Sequence, residues 1–211
     1  GGLRAQHVLD RLNAVTKGDA ILTTDVGQHQ MWAAQFCLTR SNRAWLSSGG
    51  AGTMGFGFPA AIGAQFAHPH KKVWAIVGDG GFQMTCSELA TACVNKLPVK
   101  CLIINNNYLG MIRQWQEMFY DNRLSGADLE GNPDFVKLAQ AYGAKGLRIR
   151  RPADVDRILR EAHAWDKGPC VVVAEVVKED NVFPMIPAGA SLSEMLIEKP
   201  KHRLEKPSGS T

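Results

Sequence analysis

The chain has 211 residues, a formal net charge of +4, 45% hydrophobic residues and five cysteines. That length supports one sizeable α/β core, and the charge is too mild and too dispersed to point to a nucleic-acid partner. Cys37, Cys86, Cys93, Cys101 and Cys170 form no CxxC pair, no run approaches about 18 apolar residues and no signal peptide opens the chain, so the expectation is a cytoplasmic protein with reduced cysteines and no membrane span.

Residues 3–16 place Val8, Leu12 and Val15 on one helical face. Ala20 to Thr24 reads as a short strand ending in Asp25-Val26-Gly27-Gln28-His29, from which a helix runs to about Phe36. Arg43 to Ser47 is a second strand feeding the glycine-rich stretch Gly49 to Gly57, and Pro59 suits the first turn of a helix that stops before Pro69. Val73 to Val77 is an apolar strand followed by Gly78-Asp79-Gly80-Gly81, with a helix expected from about Phe82 to Lys96. Val99 to Ile104 is a further strand, leading into Asn105-Asn106-Asn107. Beyond it the pattern predicts a helix over Leu109 to Phe119, a loop over 125–133, a helix over 134–142, a strand over Lys145 to Arg150, a helix over Pro152 to Trp165 and a last strand over Cys170 to Val177. This alternation predicts a three-layer α/β/α domain, residues 1–180, with a mostly parallel central sheet. Residues 181–211 are expected as an irregular C-terminal arm with a short amphipathic stretch at 191–198. The basic tail around Lys199, Lys201, His202, Arg203 and Lys206 reads as a solvated end.

Chemistry enters with one spacing: Gly78-Asp79-Gly80, 24 intervening residues, then Asn105-Asn106-Asn107. A parallel pair of strands joined by a crossover helix brings both carboxyl ends to one edge of the sheet, where α/β folds bind ligands. One carboxylate, one amide oxygen and a backbone carbonyl are hard oxygen donors suited to a magnesium ion that also holds phosphates. The glycines let backbone approach a diphosphate, and the following helix is expected to aim its N-terminus at it. Taken alone, Gly-Asp-Gly is only a tight turn and the asparagines a capped loop; it is the combination that carries weight. Glycine-bearing turns at 25–29, 49–57 and 78–81 fall at successive strand ends and suit one elongated ligand. His29 reads either as a helix cap or as a diphosphate contact.

The spacing resembles the thiamine diphosphate binding signature. Thr24 to Gln35, Gly50 to Gly57 and Leu109-Gly110-Met111-Ile112-Arg113-Gln114-Trp115-Gln116 further resemble the large catalytic subunit of the acetohydroxyacid synthase (acetolactate synthase) family, specifically its C-terminal thiamine diphosphate domain. The resemblance implies Asp79, Asn106 and the backbone carbonyl of Tyr108 as magnesium ligands. It implies Val26, Gly27, Gln28, His29, Gly78, Gly80 and Gly81 around the diphosphate, and Gly52, Thr53 and Met54 at the rings, with Met54 wedged beneath the thiazolium. Gly110 and Met111 complete the cofactor set, and Met111 and Trp115 line the pocket for the second substrate. Thr53 stands where the family often has alanine, and Gly81 where it commonly has serine.

The implied activity is a transferase of branched-chain amino acid biosynthesis (EC 2.2.1.6), which decarboxylates pyruvate and joins the hydroxyethyl group to a second 2-keto acid, pyruvate or 2-ketobutyrate. Its pyrimidine-binding domain, which supplies the activating glutamate, and its central domain, which often holds FAD, have no counterpart here, so no residue of this chain takes the glutamate's role. A homo-oligomer (dimer or tetramer) and a small regulatory subunit are implied partners. Readings left open are another thiamine-dependent decarboxylase or carboligase such as pyruvate oxidase or glyoxylate carboligase, a non-catalytic nucleotide binder, and a vestigial assembly module.

Overall fold

The computed structural model describes residues 2–187 and 189–199; the basic tail from Lys201 onward lies outside them. In chain order the elements are α1 (Ala5–Thr16), β1 (Ile21–Thr24), α2 (Gln28–Phe36), β2 (Trp45–Ser47), α3 (Gly57–Ala67), β3 (Val73–Gly78), α4 (Asp79–Thr85), α5 (Leu89–Val94), β4 (Lys100–Asn105), α6 (Gly110–Phe119), α7 (Phe135–Ala141), β5 (Lys145–Ile149), α8 (Val155–Ala164) and β6 (Cys170–Glu175). The strands form one sheet in the order β2-β1-β3-β4-β6-β5, with every pairing parallel.

Alternation along the strands builds two cores. Leu22, Trp74, Ile76, Leu102, Ile104 and Val172 face α1, α2 and α8. Their neighbours Ile21, Val73, Ala75, Val77, Cys101, Ile103 and Val173 face α3, α4, α5 and α7. A sheet buried on both faces needs such unbroken apolar runs, which is why β3 and β4 read so clearly in the sequence. The result is the expected three-layer α/β/α architecture, with a wholly parallel sheet.

Two helices differ from expectation. The segment expected to begin at Phe82 begins at Asp79, directly from β3, and it is interrupted by a 3-10 turn at Cys86–Glu88 before α5. Glycine disfavours helix interiors by roughly 1 kcal/mol relative to alanine, which argued for a later start. Close packing overrides that penalty: a Cβ on Gly80 would stand 2.6 Å from Leu109 Cδ2, and one on Gly81 would collide with the Asp25 carboxylate. The interruption coincides with Thr85, whose hydroxyl donates to Gly55 O at 3.0 Å instead of remaining local. Likewise the helix expected over 152–165 opens as a 3-10 turn, Pro152–Asp154, before α8.

The described part of the C-terminal arm packs on this body. Val182 is fully buried and Met185 nearly so, and Met185 pairs with Leu196 in an isolated antiparallel bridge. Arg113 of α6 donates to the carbonyls of Glu179 and Asp180 and to the side chain of Asn181, which ties the start of the arm across α6.

Candidate functional site

The register that pairs Gly78 with Ile104 brings Asp79 and the three asparagines to one corner of the sheet's carboxyl edge. A cavity of about 410 Å³ opens there. Of the residues expected at the site, Val26, Gly27, Gln28, His29, Met54, Gly78, Asp79, Gly80, Gly81, Asn106, Tyr108, Gly110, Met111 and Trp115 line it. Gly52 and Thr53 do not; they sit on the exposed loop leading to Met54, where Thr53 N–H donates to Ser48 Oγ. Met185 and Ile186 of the arm add apolar wall that the sequence did not announce.

Asp25 organises the three glycine turns. Its carboxylate, 1% exposed, accepts from the backbone N–H of Val26 (3.0 Å), Gly55 (3.0 Å) and Gly57 (2.8 Å). A buried carboxylate satisfied by three amides is a rigid tie. It holds the loop carrying Met54 against the turn at the end of β1 and explains why Gly57 and Gly81 carry no Cβ beside it. Asp25 stands within the turn 25–29, but its role depends on partners about thirty residues away, which spacing alone does not reveal.

His29 lines the cavity, 6% exposed, and its Nε2 has no hydrogen-bond partner among the described residues. Burial pulls its pKa down to about 4, against the opposing pull of Asp25, so the ring is neutral in the physiological range. Gly78 leaves room for it: a Cβ there would stand 2.9 Å from His29 Nδ1. A buried ring nitrogen without a partner, beside a turn at the start of a nine-residue helix, fits an anion that accepts from it. His29 is therefore no helix cap.

The acid end is equally specific. Asp79 is 1% exposed, and burial pushes its carboxyl up to about 6, opposed by hydrogen bonds from Asn132 and from backbone amides including Gly80 and Asn107. It is the only carboxylate lining the cavity among the described residues. Asn106 directly follows β4: its Oδ1 accepts from Tyr108 N–H at 3.1 Å, while its Nδ2 donates to Gln28 Oε1 at 3.2 Å. Asn107 adopts the left-handed conformation (φ 55°) that asparagine tolerates, which turns the chain sharply toward Tyr108. No group of three His, Cys, Asp or Glu side chains suited to a metal ion occurs among the described residues. The available donors are instead one buried carboxylate, amide oxygen and backbone carbonyl. That set fits a hard divalent cation whose remaining ligands come from a phosphate group, and it does not fit zinc or iron.

Gln28, expected at the diphosphate, spends its side chain elsewhere. Its Nε2 donates to Gln114 Oε1 (2.8 Å) and to Asp180 O (2.9 Å), and Gln114 in turn exchanges bonds with Val182 N and O. Gly110 packs directly on this buried amide chain, and any Cβ there would collide with Gln28 Oε1. Gln114 is thus a supporting residue that the sequence marked only as part of a helix stripe. Met111 packs against the core, whereas Trp115 is 40% exposed and meets Phe119 edge-on.

Residues 25–174 match the family model described as thiamine pyrophosphate enzyme, C-terminal TPP binding domain. The chain is 49% identical over 199 residues to an acetolactate synthase of Mycobacterium bovis, covering 92% of this chain and 32% of the relative. It is 41% identical to the acetolactate synthase large subunit of Haemophilus influenzae (95% and 35% covered) and 45% identical to that of the alga Porphyra purpurea (93% and 33%). The chain spans about a third of the length of these curated relatives. A match over more than two-thirds of the chain, converging on the same strand ends as the cavity, leads to one conclusion: this chain belongs to the thiamine pyrophosphate enzyme family, as its C-terminal TPP-binding domain.

Proposed function

We propose that this domain holds the diphosphate end of thiamine diphosphate and its Mg²⁺ within an acetolactate synthase large subunit, a cytoplasmic homo-oligomeric enzyme acting on pyruvate and 2-ketobutyrate. The observation that carries the reading is the pairing, across one cavity, of a buried carboxylate with no basic partner among the described residues and a buried histidine whose Nε2 has no partner among them. The first calls for a cation and the second for an anion, and a metal diphosphate is both. When bound, the cofactor supplies an electron sink for cleaving the bond between a carbonyl and a carboxylate. The chain's own residues would supply position: Asp79, Asn106 and the Tyr108 carbonyl would hold the metal, the turn 26–29 the phosphates, and Met54 would lie at the ring end. FAD has no place on this domain.

Calorimetry tests the binding half. Thiamine diphosphate should bind the chain with Mg²⁺, be released by a chelator, and resist competition by ATP or NAD. Binding that ignores the chelator would sink the metal assignment, and displacement by ATP would favour a general nucleotide binder.

Trp115 tests the choice of enzyme. Half-exposed at the cavity mouth beside Ile112 and Ile186, it shapes space without offering a proton or a charge. In the full-length enzyme, Trp115→Leu should lower the preference for 2-ketobutyrate over pyruvate as second substrate, by about 1–3 kcal/mol, since pocket shape alone commonly yields that much. Consumption of the first pyruvate should change far less. An unaltered product ratio removes Trp115 from the acceptor pocket.

A further inference from the structure

The metal ligand Asp79 is gripped from behind by a residue that lies 53 positions away and outside the cavity. Asn132 Nδ2 donates to Asp79 Oδ2 at 2.7 Å, and the same nitrogen lies 3.1 Å from Asn107 Oδ1 and 3.4 Å from Asn105 Oδ1. Its other end is fixed as well, because Asn132 Oδ1 accepts from Gln83 Nε2 at 2.6 Å. The carboxylate sets which way the amide faces: being acceptor-only when ionised, it takes the nitrogen, which leaves the oxygen to Gln83 of α4. The loop bearing Asn132 is itself pinned, with Leu129 N–H donating to Asn107 O (2.9 Å), Asn132 N–H to Leu129 O (3.1 Å) and Asp134 capping α7.

Resting on the metal-site reading above, we propose that Asn132 is a positioning residue of that site, one that engages one oxygen of Asp79 and so presents the other to the cation. Three points support positioning rather than ligation. Asn132 does not line the cavity. Its oxygen, the only atom able to bind a cation, is turned to Gln83. The nitrogen makes a charge-assisted bond to the carboxylate, the kind of outer contact that orients metal ligands and fixes the lone pair aimed at the metal. The contacts to Asn105 and Asn107 extend the effect, since one amide then ties the turn after β3 to the turn after β4. The distance between the two halves of the metal site is thereby set by a side chain from a third loop.

The test is a Mn²⁺ titration of the 211-residue chain followed by electron paramagnetic resonance, at a fixed excess of thiamine diphosphate. Asn132→Leu keeps the bulk and removes the donor. It should weaken Mn²⁺ binding by about 10–100-fold, the usual cost of losing an outer-shell partner, with the thermal midpoint little changed. Thiamine diphosphate affinity should return to within about threefold of the parent once Mn²⁺ is saturating, which a general loosening of the site would not permit. Gln83→Leu, at an exposed position, should weaken Mn²⁺ binding less and add nothing to Asn132→Leu, because both act through the same amide. A parent-like Mn²⁺ affinity in Asn132→Leu, or a cofactor deficit that persists at saturating Mn²⁺, overturns the proposal. Should Asn132→Leu fail to fold, the Gln83→Leu titration decides, and parent-like binding there is equally fatal. A parent chain that shows no Mn²⁺-dependent cofactor binding overturns the metal-site reading itself and this one with it.

Discussion

Asp79→Ala is expected to abolish Mg²⁺-dependent binding of thiamine diphosphate, weakening it by more than about 100-fold, while the protein keeps its fold. The loss exceeds that for any outer-shell change, which commonly costs about 10–100-fold, because the substitution deletes the only carboxylate that lines the cavity among the described residues. Without that charge, the cation is left with neutral oxygens and cannot bridge a diphosphate to the protein. Stability should hold for the opposite reason. Burial, only partly offset by hydrogen bonds from Asn132 and backbone amides, pushes the Asp79 carboxyl up to about 6, so the folded protein bears a desolvation cost at this position. Removing the group relieves that cost, although Asn132 loses its best acceptor. Calorimetry gives the cofactor affinity and a melting curve gives the fold; cofactor binding as tight as the parent's would show that the metal is held elsewhere.

The same two residues explain how much of the site was legible beforehand. Asp79 and Asn106 each follow an apolar run of six or so residues, and a crossover between parallel strands places the two ends together whatever the details. Local pattern and topology agree there, so the reading needed no coordinates. Asn132 is the opposite case. It sits in a loop without periodicity, before Pro133 and the cap residue Asp134, and nothing in its neighbours marks it as facing Asp79. Its role is a product of tertiary packing. Gln28 shows a third kind of outcome. Its position in the turn was legible, but the direction of its side chain was set by Gln114 and by the arm at Asp180. For α4, glycine's helix penalty, worth about 1 kcal/mol per residue, is consistent with a start near Phe82, and the close approaches that accompany the earlier start appear only in the assembled fold.

What surrounds the cavity also limits what the chain can do unaided. With thiamine diphosphate and Mg²⁺ saturating, the 211-residue chain alone is expected to consume pyruvate at least about 10²–10⁴ times more slowly than a complete acetolactate synthase. Proton transfer by a positioned side chain contributes about that factor, and among the described residues the cavity is lined by no carboxylate besides Asp79 to perform it. Among the described residues that line it, Asp79 would be taken by the cation on the proposed reading, and His29 is a buried ring that its environment keeps neutral. Glu175 is bonded to Arg148 and Arg150, and Glu117 to Arg113 and Asn181, so neither is available as a substitute. Met54, Met111 and Trp115 offer shape alone. On the proposed function, an acid that activates the ring end would reach the cavity from outside these residues. Pyruvate consumption by the purified chain is the direct measurement, with cofactor binding checked on the same sample. Turnover at the rate of a complete enzyme would mean that Asp79 or His29 performs the proton transfer, and would displace the division of labour in which this domain holds the cofactor and another group activates it.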